Sequence, residues 1–283
     1  MELPYFDFLL DKFRQENPDL IRAFGRHVHW GYWEQPERAD GSVENFTTAA
    51  EQMCQLHFDM ALVRDSMRIL DVGCGFGGTV ASLNERFSQV ELVGLNIDPR
   101  QLARARQQVQ ARPGNKIDFV EADACELPFP DACFDVVLAV ECIFHFPSRA
   151  RFFQEAKRVL RPGGRLVLSD MVSAKAFIPM TKLIMDILFG KRKEMVCGYA
   201  DNAWTLADYR RLAGTTNLSL ILEKDITANT MPTYPVVRQL YRQAGDLQME
   251  KMLKMVERMH DWGLFHYVIL SLEVQSSPHK ISP

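Results

Sequence analysis

Glu141 and His145 stand four residues apart in Val140-Glu141-Cys142-Ile143-Phe144-His145-Phe146-Pro147, directly after an apolar run that reads as a strand. A neutral imidazole accepts a proton from a hydroxyl near neutral pH, so His145 is a candidate general base. Set between Phe144 and Phe146, it also reads as a structural histidine. Glu141 offers different chemistry. A carboxylate among aromatic faces, here Trp30, Trp33, Phe144 and Phe146, stabilises a nearby positive charge. That charge can be a carbocation on an acceptor or the ammonium group of a bound ligand. Asp170 closes the next apolar run and is the third candidate, with a helix cap as its plainer role.

These side chains need a scaffold, and the stretch Ile69-Leu70-Asp71-Val72-Gly73-Cys74-Gly75-Phe76-Gly77-Gly78 supplies its centre. A short apolar run ends in an acid and a glycine cluster, and Thr79 to Phe87 then read as the start of a helix. Strand, glycine turn and helix form a floor for a nucleotide-like ligand, since glycines let the ligand approach the backbone closely. Gly73, Gly75 and Gly78 also fit the G-x-G-x-x-G pattern of dinucleotide sites, which alone is weak. Asp71 discriminates: a carboxylate before the turn is awkward beside a pyrophosphate but suits a ligand with an ammonium group and no phosphate. S-adenosylmethionine is such a ligand. Where a NAD enzyme usually places its acid, this chain has Asn96, with Asp98 two residues later.

The chain has 283 residues, a hydrophobic share of 47% and a formal net charge of −3, so it can bury a large core and has no global pull toward nucleic acid or anionic membrane. Arg100 to Arg112 has helical spacing and reads as a solvated helix face. Six cysteines without a C-x-x-C pair point to a reduced, intracellular protein. No apolar run reaches the length of a membrane span, and the N-terminus carries acids where a signal peptide carries basic residues. A soluble, cytoplasmic protein is expected. His27 and His29 lack a nearby third ligand, and no zinc-type spacing exists, so no metal is expected.

Residues 1–64 read as an N-terminal helical lid containing the aromatic segment His29-Trp30-Gly31-Tyr32-Trp33. From 65 to 170 strands at 67–72, 90–95, 117–121, 134–140 and 164–169 alternate with helices at 78–87, 99–111 and 148–160. This is the rhythm of an α/β, doubly wound, mostly parallel sheet. Residues 171–204 read as an inserted helical cap carrying Phe177, Met180 and Trp204. The core resumes over 205–275, with a helix at 205–214, strands near 218–226 and 265–274, and one long helix over 235–258 as a second cap segment. Residues 276–283 read as a flexible tail.

With the glycine turn, the Ala122-Asp123-Ala124-Cys125-Glu126-Leu127-Pro128-Phe129 segment and the Arg161-Pro162-Gly163-Gly164 turn in hand, the chain resembles the class I S-adenosylmethionine-dependent methyltransferases. The resemblance is closest to the small-molecule group with sterol, tocopherol and sugar O-methyltransferases, and it runs from Trp30 to about Asp170. It implies a seven-stranded Rossmann-like sheet. It also implies that Asp71, Gly73 and Gly75 lie along the methionine portion of the cofactor, and that Tyr32 reaches its carboxylate. Asn96, Ile97 and Gln101 would hold the ribose, where many relatives carry an acid. Asp123 and Ala124 would meet the adenine. His145 falls on the group's catalytic-type histidine, and Asp170 on an acid that orients it or touches substrate; Glu141 is a further cofactor candidate.

The expected function is methyl transfer from S-adenosylmethionine, leaving S-adenosylhomocysteine, to oxygen or carbon of a small, fairly lipophilic metabolite. Trp30, Trp33, Phe144, Phe146, Phe177, Met180 and Trp204 are its expected pocket. The alternative is a cyclase or related catalyst on the same fold that keeps the cofactor without spending its methyl group. The exact acceptor and the oligomeric state are not encoded in these motifs.

Overall fold

A computed structural model describes residues 4–174 and 204–275. Its centre is a seven-stranded sheet in the order β3-β2-β1-β4-β5-β7-β6. The strands are β1 (Arg68–Val72), β2 (Glu91–Asn96), β3 (Lys116–Glu121), β4 (Phe134–Ala139), β5 (Leu160–Ser173), β6 (Leu218–Asp225) and β7 (Phe265–Val274). β1 pairs in parallel with both β2 and β4, while β7 runs antiparallel between β5 and β6. The strand order therefore reverses at β1, and ligands in open α/β sheets bind at the carboxyl ends beside such a reversal.

Both faces of the sheet are covered. Leu70, Val72, Val137 and Ala139 point into one apolar cluster, closed by Phe152 and Phe153 of α6 (Arg149–Val159) and Tyr209 of α7 (Leu206–Thr215). Their strand neighbours Ile69, Val136 and Leu138 point into the opposite cluster. That side is closed by Phe58 of α3 (Val43–Ala61), Leu83 of α4 (Gly78–Arg86) and Leu102 of α5 (Pro99–Gln108). Strands buried on two faces are apolar throughout, which is why they read as short continuous runs. Ser42 caps α3, Asp98 caps α5 with Pro99 as its first residue, and Thr205 and Asp208 form a reciprocal cap on α7.

A third cluster lies over the carboxyl ends of the strands. There α1 (Pro4–Arg14) and α2 (Pro18–Phe24) pack on α3 and on the helices α8 (Thr233–Gln243) and α9 (Leu247–Asp261). Phe8 stacks on Tyr241 at 5.1 Å between ring centroids, and Phe46 is fully buried. Each such aromatic contributes roughly 2–3 kcal/mol by leaving water, so this cap has a core of its own.

Two expectations need correction. The single helix over 235–258 is a hairpin of α8 and α9, broken at Gly245, whose φ is +84°. Asp246 then caps α9 by accepting a hydrogen bond from Met249 N–H. Apolar spacing continues across the break because both helices turn their apolar faces to the same cap. The fifth strand does not end at 169 but runs to Ser173, so the expected insertion loses its first residues to the sheet. Most of that insertion, with Phe177 and Met180, and the segment 276–283 lie outside the described residues. Among the described residues, no helix is long and apolar enough to cross a membrane.

Candidate active site

β1 ends at Val72, and Gly73 turns the chain with φ +71° while its N–H and that of Cys74 both donate to Leu95 C=O. A Cβ at Gly73 would stand 2.7 Å from Cys142 Cβ, so the glycine is what lets the ends of β1 and β4 sit side by side. Gly78, the first residue of α4, serves a second approach: a Cβ there would meet His27 Nδ1 at 2.5 Å. The segment Arg26–His29 thus lies directly on the helix start.

The turn floors a cleft of about 980 Å³, counted to its mouth. Asp71, Gly73, Gly75, Asn96, Ile97, Gln101, Asp123, Ala124 and Glu141 all line it. Asp71 is buried, and among the described residues its Oδ2 has no hydrogen-bond partner. Burial pushes its carboxyl up from an ordinary 3.8 to about 8. An orphaned buried carboxylate oxygen facing a cleft is the feature that an ammonium-bearing nucleoside would satisfy. Asn96 Nδ2 donates to Gln101 Oε1 at 3.1 Å, and Asn96 Oδ1 accepts Asp98 N–H, so both amides are fixed in place. Asp123 Oδ1 accepts the N–H of Cys125 at 2.7 Å, which holds that carboxylate at the far end of the cleft. Tyr32 is the exception. Its N–H donates to Ala49 C=O and its hydroxyl accepts from Lys224 Nζ at 3.3 Å, so the ring belongs to the packing beneath β6 and is not in the cleft wall.

Glu141 has φ +51°, a backbone conformation costing on the order of 1 kcal/mol for a non-glycine residue. Three contacts hold it there. Its N–H donates to Ser169 Oγ, and its Oε2 accepts both Trp30 N–H at 2.8 Å and Tyr267 O–H at 2.6 Å. Desolvation nonetheless pushes its carboxyl up to about 8, against the lowering effect of the two donors. His145, buried in the short turn Ile143–His145, packs on the Phe144 ring at 4.4 Å between centroids.

Behind these two residues lies a second cavity of about 1170 Å³, walled by Leu9, Phe24, Phe46, Val237, Met252 and Phe265 among others. Val28, His29, Glu141 and His145 line both spaces, so the two clefts meet there. Trp30 and Phe144 line the second cavity, and Phe146 the first. Trp33 lines neither. It is buried against Phe46 with Nε1 donating to Asn45 Oδ1, a core position. Trp204 also lies elsewhere, packed against Tyr209 and under the Arg149 guanidinium. Asp170 is fully buried in an ion pair with Arg149 at 3.0 Å and accepts the Tyr209 hydroxyl. It lines neither of these two clefts, and its partners among the described residues are Arg149 of α6 and Tyr209 of α7. Arg100 to Arg112 is likewise more than a solvated face: Arg104 lies over the Phe13 ring at 4.6 Å and Arg106 donates to Phe119 C=O.

Several residues at the site carry no local sequence signal. Met249 and Met252 of α9 wall the second cavity. His27 and His29, for which the sequence offers no third partner, meet one in Cys54 of α3, whose Sγ lies 3.6 Å from His27 Nδ1 and 3.3 Å from His29 Nε2.

A cleft at the strand-order reversal, with an orphaned acid near the end of β1, amides at and just past the end of β2 and an acid after β3, defines an adenosyl-nucleoside-binding α/β enzyme. Comparison with known proteins makes the class specific. Residues 70–168 match the family described as a methyltransferase domain. The methyltransferase GfsG of Streptomyces halstedii is 30% identical over 266 residues, covering 92% of each chain. The 27-O-demethylrifamycin SV methyltransferase of Amycolatopsis mediterranei is 37% identical over 154 residues, 54% of each chain. Among solved structures, the [4+2]-cyclase SpnF superimposes with a TM-score of 0.73 at 21% identity, covering 94% of this chain and 96% of that one, a likeness of fold. The chain belongs to the class I S-adenosylmethionine-dependent methyltransferases, and S-adenosylmethionine is its cofactor.

Proposed function

We propose that the enzyme methylates oxygen, or failing that carbon, of a small lipophilic metabolite held in the second cavity. The observation that carries this reading is the apolar space joined to the glycine-floored cleft at Glu141 and His145. S-adenosylmethionine supplies an electrophilic methyl group on a positive sulfur. The protein's own work is alignment, proton removal and water exclusion. Asp71, Gly73, Gly75, Asn96, Ile97, Gln101, Asp123 and Ala124 hold the donor. His145, at the junction, accepts the proton of a hydroxyl acceptor. Glu141, held by the Trp30 and Tyr267 donors, supplies negative charge beside the sulfonium. Trp30, Phe144 and the aliphatic wall select an apolar acceptor, because a charged one would lose its hydration without gaining partners there.

The rifamycin-modifying and GfsG relatives are methyltransferases by name, which supports a metabolite acceptor. The testing experiment is a cofactor-dependent screen against hydroxylated and unsaturated lipophilic metabolites, with products read by mass and S-adenosylhomocysteine measured in parallel. Methylated product with equimolar S-adenosylhomocysteine is the expected result. Rearranged product without S-adenosylhomocysteine would replace methyl transfer by cyclisation.

A further inference from the structure

His27, His29 and Cys54 form a buried cluster with no assigned role in the methyl-transfer site, and their hydrogen bonds define what it can do. His29 Nδ1 lies 3.0 Å from Trp30 C=O. A carbonyl cannot donate, so Nδ1 carries the ring proton and Nε2 keeps a bare lone pair. His27 Nε2 lies 2.9 Å from Glu51 Oε2. Glu51 also accepts the Ser82 hydroxyl on Oε1, as a carboxylate with no proton to give. Its oxygen therefore accepts, and the His27 proton sits on Nε2; the longer approach of Arg26 Nε to the same atom, 3.3 Å, does not change that assignment. His27 Nδ1 is then bare as well.

Both bare nitrogens point at one sulfur, at 3.6 and 3.3 Å. A thiol has one proton and cannot satisfy two acceptors. All three side chains are buried, so bulk water does not serve the second lone pair either. The ligand atoms all lie within 4.8 Å of one another. Around a tetrahedral zinc ion, bond lengths of about 2.3 Å to sulfur and about 2.0–2.1 Å to nitrogen place those atoms roughly 3.5 Å apart. The outer partners, a carboxylate and a backbone carbonyl on the far ring nitrogens, are those that fix metal-binding histidines in the required tautomer.

We propose that His27 Nδ1, His29 Nε2 and Cys54 Sγ bind one zinc ion, which clasps the Arg26–Trp30 segment to α3. The fourth position falls to Thr79, whose hydroxyl is 3.7 Å from the sulfur, or to water. The ion takes no part in methyl transfer. It fixes the segment that gives Val28 and His29 to both clefts and the Trp30 N–H to Glu141. Binding releases the Cys54 proton, so affinity rises with pH.

The test is cobalt titration of the full chain after stripping with a chelator, followed by displacement with zinc. One equivalent should bind, with a near-ultraviolet thiolate-to-cobalt absorption that Cys54→Ser abolishes. Glu51→Gln, which leaves all three ligands in place, should weaken zinc binding about 10- to 100-fold. Chelator should lower the Tm of the wild type and leave that of Cys54→Ser unchanged. Should Cys54→Ser fail to fold, the wild-type cobalt spectrum and the Glu51→Gln affinity still decide. No charge-transfer absorption at one equivalent of cobalt, or equal cobalt affinity in Cys54→Ser, overturns the proposal in favour of a metal-free thiol–imidazole contact.

Discussion

Replacing Asp71 by asparagine should stabilise the ligand-free protein while weakening its hold on the cofactor. Unfolded, the Asp71 carboxyl ionises near 3.8, and in the fold burial raises it to about 8. Below pH 4 both states carry the proton, and the ionisation difference costs nothing. Between about 4 and 8 the unfolded chain gains by ionising and the folded chain does not, so the wild type loses roughly 1.4 kcal/mol per pH unit. Above 8 the loss is constant, at a ceiling of roughly 6 kcal/mol for a shift of about four units. Water entering the open cleft relaxes part of this; half the ceiling, about 3 kcal/mol, corresponds to roughly 6–10 °C in Tm. The Asp71→Asn side chain keeps the shape and carries no such cost. The assay is thermal unfolding of both proteins from pH 4 to pH 9, without ligand and with S-adenosylhomocysteine. The Tm curves should converge near pH 4 and diverge by pH 8, with the variant higher. Its affinity for S-adenosylhomocysteine should fall roughly 10- to 100-fold, the worth of a hydrogen bond to a charged group. Parallel Tm curves, or unchanged affinity, would refute the assignment of Asp71 as a desolvated carboxylate awaiting a cation.

Burial pushes both Asp71 and Glu141 up to about 8 in the free protein, so kcat/KM should rise with pH to a plateau above about 8, and Glu141→Gln should make that limb shallower. His145→Ala should lower kcat on a hydroxyl acceptor by about 10²–10⁴-fold with S-adenosylhomocysteine affinity nearly unchanged, checked by initial rates and calorimetry. Asp170→Asn breaks a buried pair with Arg149 and should cost roughly 3–5 kcal/mol of stability in denaturant unfolding, with little change in the KM of either substrate at a temperature where the variant is folded. Gly73→Ala meets Cys142 at 2.7 Å and forces a positive φ on a side-chain residue. It should lower both stability and cofactor affinity, whereas Gly114→Ala, exposed and with only Gln89 within 4 Å, should spare affinity.

The sheet was legible because parallel strands buried on two faces, such as Leu92-Val93 and Val136-Val137-Leu138, must be apolar without interruption. The residues that line the first cleft were legible for a related reason. Asp71, Asn96 and Asp123 lie at or near strand ends on the cleft side, and Asp71 pairs with Gly94, two residues before Asn96, in the adjoining parallel strand. What failed was direction. Trp30 and Trp33 sit in one aromatic segment, yet one lines a cavity and the other fills the core, and residue type does not say which way a loop side chain turns. Asp170 looked like a site acid because it follows an apolar run. The strand continues past it, and Arg149, far along the chain, claims it. The hairpin break at Gly245 was hidden by an apolar spacing shared by both helices, and Cys54 joins His27 and His29 only through the packing of α3 on the N-terminal segment.

Two clefts meet at Glu141 and His145, and under the proposed function one takes the donor, the other the acceptor, with methyl transfer at that junction. A crystal structure with S-adenosylhomocysteine and a long-chain alcohol tests it most directly. The adenine should lie at Asp123, the ribose at Asn96 and Gln101, and the sulfur at the junction, with the alcohol oxygen within reach of His145. A sulfur turned away from Glu141 and His145, or an alcohol bound anywhere but the second cavity, would contradict it.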